Sequence, residues 1–245
     1  HGIVFLKPDA GFSVQIPAHI LYERAATKMT DLVLGEHAVH TPEHLLSALG
    51  SVGINNALIE ITGSELPILD GSCAGYEELL KPDSVAVLAA PRAIFVIRKP
   101  LFFIREGEGV KIIVLPTQNT QLELSYFIEF SNPAIGAQYY SLIIDRESYW
   151  KEVAHARTFT LASFLSEQSQ NIYKGIQDSI VVLADDGASF NKQHFARPDD
   201  PIRHKILDLF GDLQLLGFSL AGAHIIAIED GHRDHNEMVR RMYLV

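Results

Sequence analysis

Apolar positions along the chain follow two rhythms, one of period two and one of period 3.6, and together they predict a mixed α+β fold. Gly2–Leu6 and Lys28–Leu34 carry strand-like apolar residues. Thr41-Pro42 then opens a helix, with Thr41 expected at the N-cap and Pro42 at the first helical position. Gly53 closes that helix, Ala57–Ile61 reads as a strand, and Asp70-Gly71-Ser72 is a turn before a short helix ending near Leu80. Strands follow at Ala93–Ile97, Val110–Leu115, Gln121–Phe130 and Gln138–Ile144. Helices are predicted around Arg146–Val153 and Leu161–Gln168, then a strand at Ser179–Leu183. The strongest helical pattern starts with Asp200 as N-cap and Pro201, runs to Leu216 and stops at Gly217. Ala223–Ile228 is a strand, Asp230-Gly231-His232 a turn, and a last helix runs through Met242.

The composition shift around Pro91 predicts two units, residues 1–90 and 91–245. Each contains a helix with a histidine near its start, then a strand, then Asp-Gly. The interval from His44 to Asp70 is 26 residues, as is that from His204 to Asp230. Duplication and coincidence account for this spacing about equally well.

Composition narrows the function classes. Apolar residues make up 47% of the 245, which excludes a disordered chain. The formal net charge of −10 disfavours non-specific nucleic-acid binding, so no nucleic-acid partner is expected. One cysteine, Cys73, precludes an intrachain disulfide and fits the cytoplasm. No apolar run is long enough to span a bilayer, and no signal-peptide pattern is visible.

Candidate chemistry lies on the strongest helix. His204, Asp208 and Asp212 are spaced four apart and share one face, opposite Ile206, Leu209, Phe210, Leu213 and Leu216. Imidazole nitrogen and carboxylate oxygen are ordinary zinc ligands, yet taken alone His-x-x-x-Asp reads more simply as an exposed or hydrogen-bonded structural pair. Glu43-His44 shifts the balance. The positive end of its helix disfavours an imidazolium at His44 and so favours the neutral ring a metal needs. Glu43 beside it is a carboxylate available as a general base. His232, between a strand and a helix, is placed to act as a general acid, kept protonated by a carboxylate such as Asp212.

At these residues the chain resembles the zinc amidase family of lipid A biosynthesis, the UDP-3-O-acyl-N-acetylglucosamine deacetylases (LpxC). The matching stretches are Thr41–Leu49, Gly53–Asn56, Pro67–Ser72, Ala156–Phe159, Arg203–Leu213 and Gly231-His232, in the family's order. The resemblance implies His44, His204 and Asp208 as metal ligands, for zinc or for ferrous iron in its place. It implies Glu43 as general base, His232 as general acid, Asp212 supporting His232, and Thr158 holding the reacting carbonyl oxygen. Lys205 and Phe159 would bind the UDP-sugar lipid substrate. The implied fold is two similar α+β domains packed face to face with the active site between them. The implied protein is a cytoplasmic monomer whose lipid substrate is compatible with peripheral membrane contact. An insert, roughly Leu161–Leu183, would form the acyl passage. The chain departs from the family pattern at Tyr173-Lys174-Gly175-Ile176, at Glu229, and at His235, where the family has an asparagine that here is displaced to Asn236. The competing readings are a zinc amidase for another amide and a non-catalytic module that binds a sugar nucleotide or acyl chain.

Overall fold

The computed structural model describes residues 2–9, 11–24, 26, 29–165 and 177–245. Tyr173–Ile176 and the end of the helix expected at Leu161–Gln168 lie outside them. In chain order the strands are β1 (Ile3–Asp9), β2 (Phe12–Pro17), β3 (Glu23–Arg24), β4 (Asp31–Leu34), β5 (His37–His40), β6 (Ala57–Glu60), β7 (Ile94–Val96) and β8 (Leu101–Ile104). They continue with β9 (Lys111–Pro116), β10 (Leu122–Glu129), β11 (Ala137–Ile144), β12 (Phe159–Leu161), β13 (Val181–Leu183), β14 (Ser219–Ala221) and β15 (Ala223–Ile228). The α-helices are α1 (Glu43–Ser51), α2 (Arg146–Glu152), α3 (Asp200–Leu213) and α4 (His232–Tyr243).

A mixed five-stranded sheet, in the order β11-β10-β15-β9-β8, carries the second half of the chain. β15 runs parallel to β10, with Leu124 beside Ile225, and antiparallel to β9. In the first half, β1 pairs antiparallel with β2 and parallel with β6, while β3, β4 and β5 form a separate sheet. Helices α3 and α4 lie against one face of the five-stranded sheet, and α1 packs against α3. Burying Ile202, Ile206, Leu209 and Leu213 seats α3 in the core, each worth roughly 1.5–3 kcal/mol. The polar side of α3 is buried too. His204, Asp208 and Asp212 are all under 5% exposed, so the stripe is an interior surface and not a solvated one.

Three local expectations are corrected. Thr41 does not cap α1: its φ is 59°, Pro42 is the N-cap, and the Thr41 hydroxyl bonds Glu65 at 3.2 Å. The turn at Thr41 instead lets its backbone N–H reach the Thr30 carbonyl at 3.1 Å, which ties β4 to the start of α1. Asp200 is the first residue of α3 and not its cap. Its carboxylate accepts from the backbone N–H groups of Ala196 and Arg197, at 2.7 and 3.1 Å, and folds the preceding loop back. Finally, Phe159–Leu161 is a short strand followed by a 3-10 turn at Ala162–Phe164, not the start of an α-helix. Among the described residues no helix is long and apolar enough to cross a membrane.

Arg203, beside the histidine of α3, is structural. It is buried, stacks over the Tyr140 ring at 4.0 Å and pairs with Glu152 and Asp199, each at 2.7 Å. Partial burial raises the Glu152 carboxyl, but Arg203 and Arg197 outweigh it and hold it below the usual range. A depressed pKa adds stability that is complete above about 4.3, the value of an unfolded glutamate, and is lost as pH falls through the folded value. Glu152→Gln is therefore expected to lower stability at pH 7 by about 1 kcal/mol, a modest figure because solvent screens this partly exposed side chain. The gap from the parent should narrow as pH falls through the folded value, which urea melts over a falling pH series will check.

Candidate metal and acid–base site

Three elements bring the site together. The first turn of α1 carries Glu43 and His44, the middle of α3 carries His204, Asp208 and Asp212, and α4 opens at His232. The contact between α1 and α3 is very close. A Cβ at Gly211 would lie 2.8 Å from the Glu43 carbonyl carbon, so only glycine lets the helices approach this far. Ser47 on α1 donates to the Leu207 carbonyl of α3 at 2.9 Å, and Tyr149 of α2 donates to Ser47 at 2.8 Å.

Across this contact one ligand atom each from His44, His204 and Asp208 lies within 4.8 Å of the others. Nε2 of His204 is 3.2 Å and Nε2 of His44 is 3.6 Å from Asp208 Oδ1. The two rings stand nearly perpendicular, 84° apart, with centroids separated by 5.0 Å. His204 Nδ1 faces the Ala156 carbonyl at 3.0 Å, which makes Nδ1 the protonated nitrogen and leaves the Nε2 lone pair free to ligate. Asp208 Oδ1 is buried without a hydrogen-bond partner among the described residues. An ionised oxygen left that way is costly, and it points at two imidazole nitrogens. The donor set fits a zinc-type cation. Burial opposes ionisation of Asp208, but His204 and His232 outweigh it and hold its pKa well below the ordinary carboxylate value.

Glu43 and His232 face each other beside this cluster. His232 Nε2 lies 3.6 Å from Glu43 Oε1 and 3.7 Å from Asp208 Oδ2. Glu43 is 2% exposed, and burial pushes its pKa up to about 7 against the pull of His232. Burial works against a charge on His232, but Asp212, Glu43 and Asp208 together push it up to about 10. Nδ1 of His232 is bonded to Asp212 Oδ2 at 2.8 Å. The arrangement therefore holds a carboxylate of raised proton affinity next to an imidazolium.

A model of the family described as UDP-3-O-acyl N-acetylglycosamine deacetylase matches residues 1–244. The chain belongs to this family. It is 35% identical over 228 residues to the UDP-3-O-acyl-N-acetylglucosamine deacetylase of Helicobacter hepaticus, covering 91% of this chain and 73% of that protein. It is 37% identical over 248 residues to the protein of the same name from Trichormus variabilis, covering 98% and 86%. The Syntrophus aciditrophicus protein of that name is 31% identical over 245 residues, covering 98% and 75%.

Of the remaining family-implied residues, Lys205 reaches the cluster, while Thr158 and Phe159 are placed by their own neighbours. Lys205 Nζ is 3.9 Å from Asp208 Oδ2. Thr158 lies two residues beyond Ala156, the partner of His204. Its N–H donates to the Gly71 carbonyl at 2.7 Å and its carbonyl accepts from Val181 at 3.0 Å. Its hydroxyl makes no hydrogen bond among the described residues. Phe159 packs edge-on against Phe130 and Phe195, with centroids 5.8 and 5.9 Å away, so its ring has structural neighbours. Sequence reading missed Thr30. Its hydroxyl donates to Asp212 Oδ1 at 2.6 Å and its N–H faces Glu43 Oε2 at 3.3 Å, so it bridges the candidate base and the carboxylate that supports the candidate acid. A lone Thr just before a short strand carries no signal of such a role.

Proposed function

We propose that this chain is a metal-dependent deacetylase that hydrolyses the N-acetyl amide of UDP-3-O-acyl-N-acetylglucosamine, releasing acetate and the free amine in lipid A biosynthesis. One observation carries the reading: His44, His204 and Asp208 converge, with the orphaned Asp208 Oδ1 between two imidazoles, directly beside Glu43 and His232. The names of the family and of its relatives supply the substrate.

His44, His204 and Asp208 would hold the metal, which when bound would supply Lewis-acid polarisation of the amide carbonyl and a water that ionises near neutral pH. Glu43 accepts the proton of the attacking water. Its burial suits it to this, because raised proton affinity makes it a better base than an exposed glutamate. His232, charged through Asp212, stabilises the developing oxyanion and then gives its Nε2 proton to the leaving nitrogen. Thr158 holds the reacting oxygen, while Lys205 and Phe159 bind the sugar nucleotide. The ligand set draws on both 1–90 and 91–245, which supports two α+β domains meeting face to face around the site. Cys73, buried and donating to the His44 carbonyl at 3.1 Å, suits a reducing cytoplasmic setting.

Acetate release from acylated UDP-N-acetylglucosamine tests the proposal. Turnover that a chelator abolishes and added zinc restores is expected. Metal-dependent release from other N-acetylated compounds with none from the UDP-sugar would overturn the substrate assignment.

A further inference from the structure

Behind the candidate acid runs a buried polar chain that the reaction above does not use. His235, on α4, is fully buried. Its Nδ1 lies 2.8 Å from Asp212 Oδ2, the same oxygen that His232 Nδ1 reaches at 2.8 Å. Its Nε2 lies 3.3 Å from Asp230 Oδ1 and 3.1 Å from the Tyr126 hydroxyl oxygen. The Tyr126 hydroxyl donates its one proton to the Asp230 backbone carbonyl at 3.1 Å. It has no second proton for His235, so Nε2 must be the donor there, and Nδ1 facing a carboxylate must be a donor too. Both ring nitrogens face carboxylate oxygens, Asp212 Oδ2 and Asp230 Oδ1, and this geometry points to an imidazolium at His235. Burial opposes that charge, but Asp230 and Asp212 offset it and push the ring up to about 9.

The other side of Asp212 is closed as well. Oδ1 accepts from the Thr30 hydroxyl at 2.6 Å, and Asn236 donates to Thr30 at 3.0 Å. Asp212 thus receives two histidines on one oxygen and a threonine on the other, and none of its freedom to rotate remains. The two ring nitrogens are already donated to Asp212, so Asp212, His232 and His235 are an acid-positioning group and not a second metal set.

We propose that His235 is a positioning residue for the deacetylation: a fixed cation behind Asp212 that keeps this carboxylate ionised and turned so that His232 presents Nε2 to the reacting centre. This rests on the function proposed above. A residue that only filled space would need the shape of the ring and not its two protons.

Two amide substitutions separate the two sides of the ring. The side-chain nitrogen of His235→Asn falls near Nδ1 and still donates to Asp212; that of His235→Gln falls near Nε2 and serves Asp230 and Tyr126. With the zinc-loaded full chain and acylated UDP-N-acetylglucosamine, His235→Gln is expected to lose roughly 10–100-fold in kcat, with KM and zinc content unchanged. His235→Asn should keep several-fold more of the rate. Equal rates, Gln above Asn, or a loss that follows zinc content or folded fraction would overturn the proposal. Nitrogen-15 spectra of imidazole-labelled parent protein at pH 7 need no variant: two protonated ring nitrogens at His235 are expected, and a neutral ring would overturn it. If the parent releases no acetate, the function fails while the spectrum still decides the charge of His235.

Discussion

Glu43→Gln is expected to lower kcat by roughly 10²–10⁴-fold, with bound metal and melting temperature nearly unchanged. The amide keeps the size of the side chain and can still accept from the Thr30 N–H, now 3.3 Å from Oε2. What it cannot do is take a proton from water. The cost falls on the chemical step, so KM should stay within a few-fold of the parent. Stability should not suffer, because the buried carboxylate is itself a liability: burial is the first cause of its raised pKa. Stopped-time acetate assays with metal analysis of the same samples check both halves. A Glu43→Gln protein with parental kcat and a full complement of metal would remove Glu43 from the reaction.

Gly211→Ala should have the next largest effect, and through a different cause. The added methyl would collide with the backbone of Glu43, where no flexible side chain can yield. Overpacking of this kind typically costs 1–3 kcal/mol, and a backbone obstacle places this case at or above about 3 kcal/mol. If the helices part to accommodate it, Glu43 and His44 move away from Asp208 together. A displacement of about 1 Å can cost on the order of 10²-fold in rate. Loss of metal affinity should accompany the loss of rate, which distinguishes this variant from Glu43→Gln. Denaturant melts and metal titrations of the variant measure the two effects separately.

These two predictions also show what the sequence could and could not reveal. Helix α3 was legible because its start is marked by Asp-Pro and its apolar spacing is regular, although the α-helix ends at Leu213 and a 3-10 turn, Gln214–Leu216, carries the chain to the left-handed Gly217. The spacing of His204, Asp208 and Asp212 was legible for the same reason, as was the placement of Glu43-His44 in a first turn. What surrounds α3 was not. Residues that face water in an isolated amphipathic helix here face the ends of α1 and α4, because the polar stripe is covered by the rest of the chain. Thr41 looked like an N-cap because local rules consider only the helix that follows. Its hydroxyl is drawn to Glu65 and its N–H to Thr30, contacts made by distant strands. Thr30 and His235 reach Asp212 from the far ends of the chain, and no local periodicity encodes those meetings. The short strands β2, β5 and β8 escaped for a related reason: their stability lies in pairing with neighbours, not in an apolar rhythm of their own.

The central claim is that His44, His204 and Asp208 together hold one catalytic metal. Metal analysis of protein purified without chelator, for the parent and for His204→Ala, tests it most directly. The parent should carry close to one zinc or iron per chain, and His204→Ala should lose both the metal and the deacetylase activity while remaining folded. A parent that is active without metal, or a His204→Ala protein that keeps both metal and activity, would contradict the account.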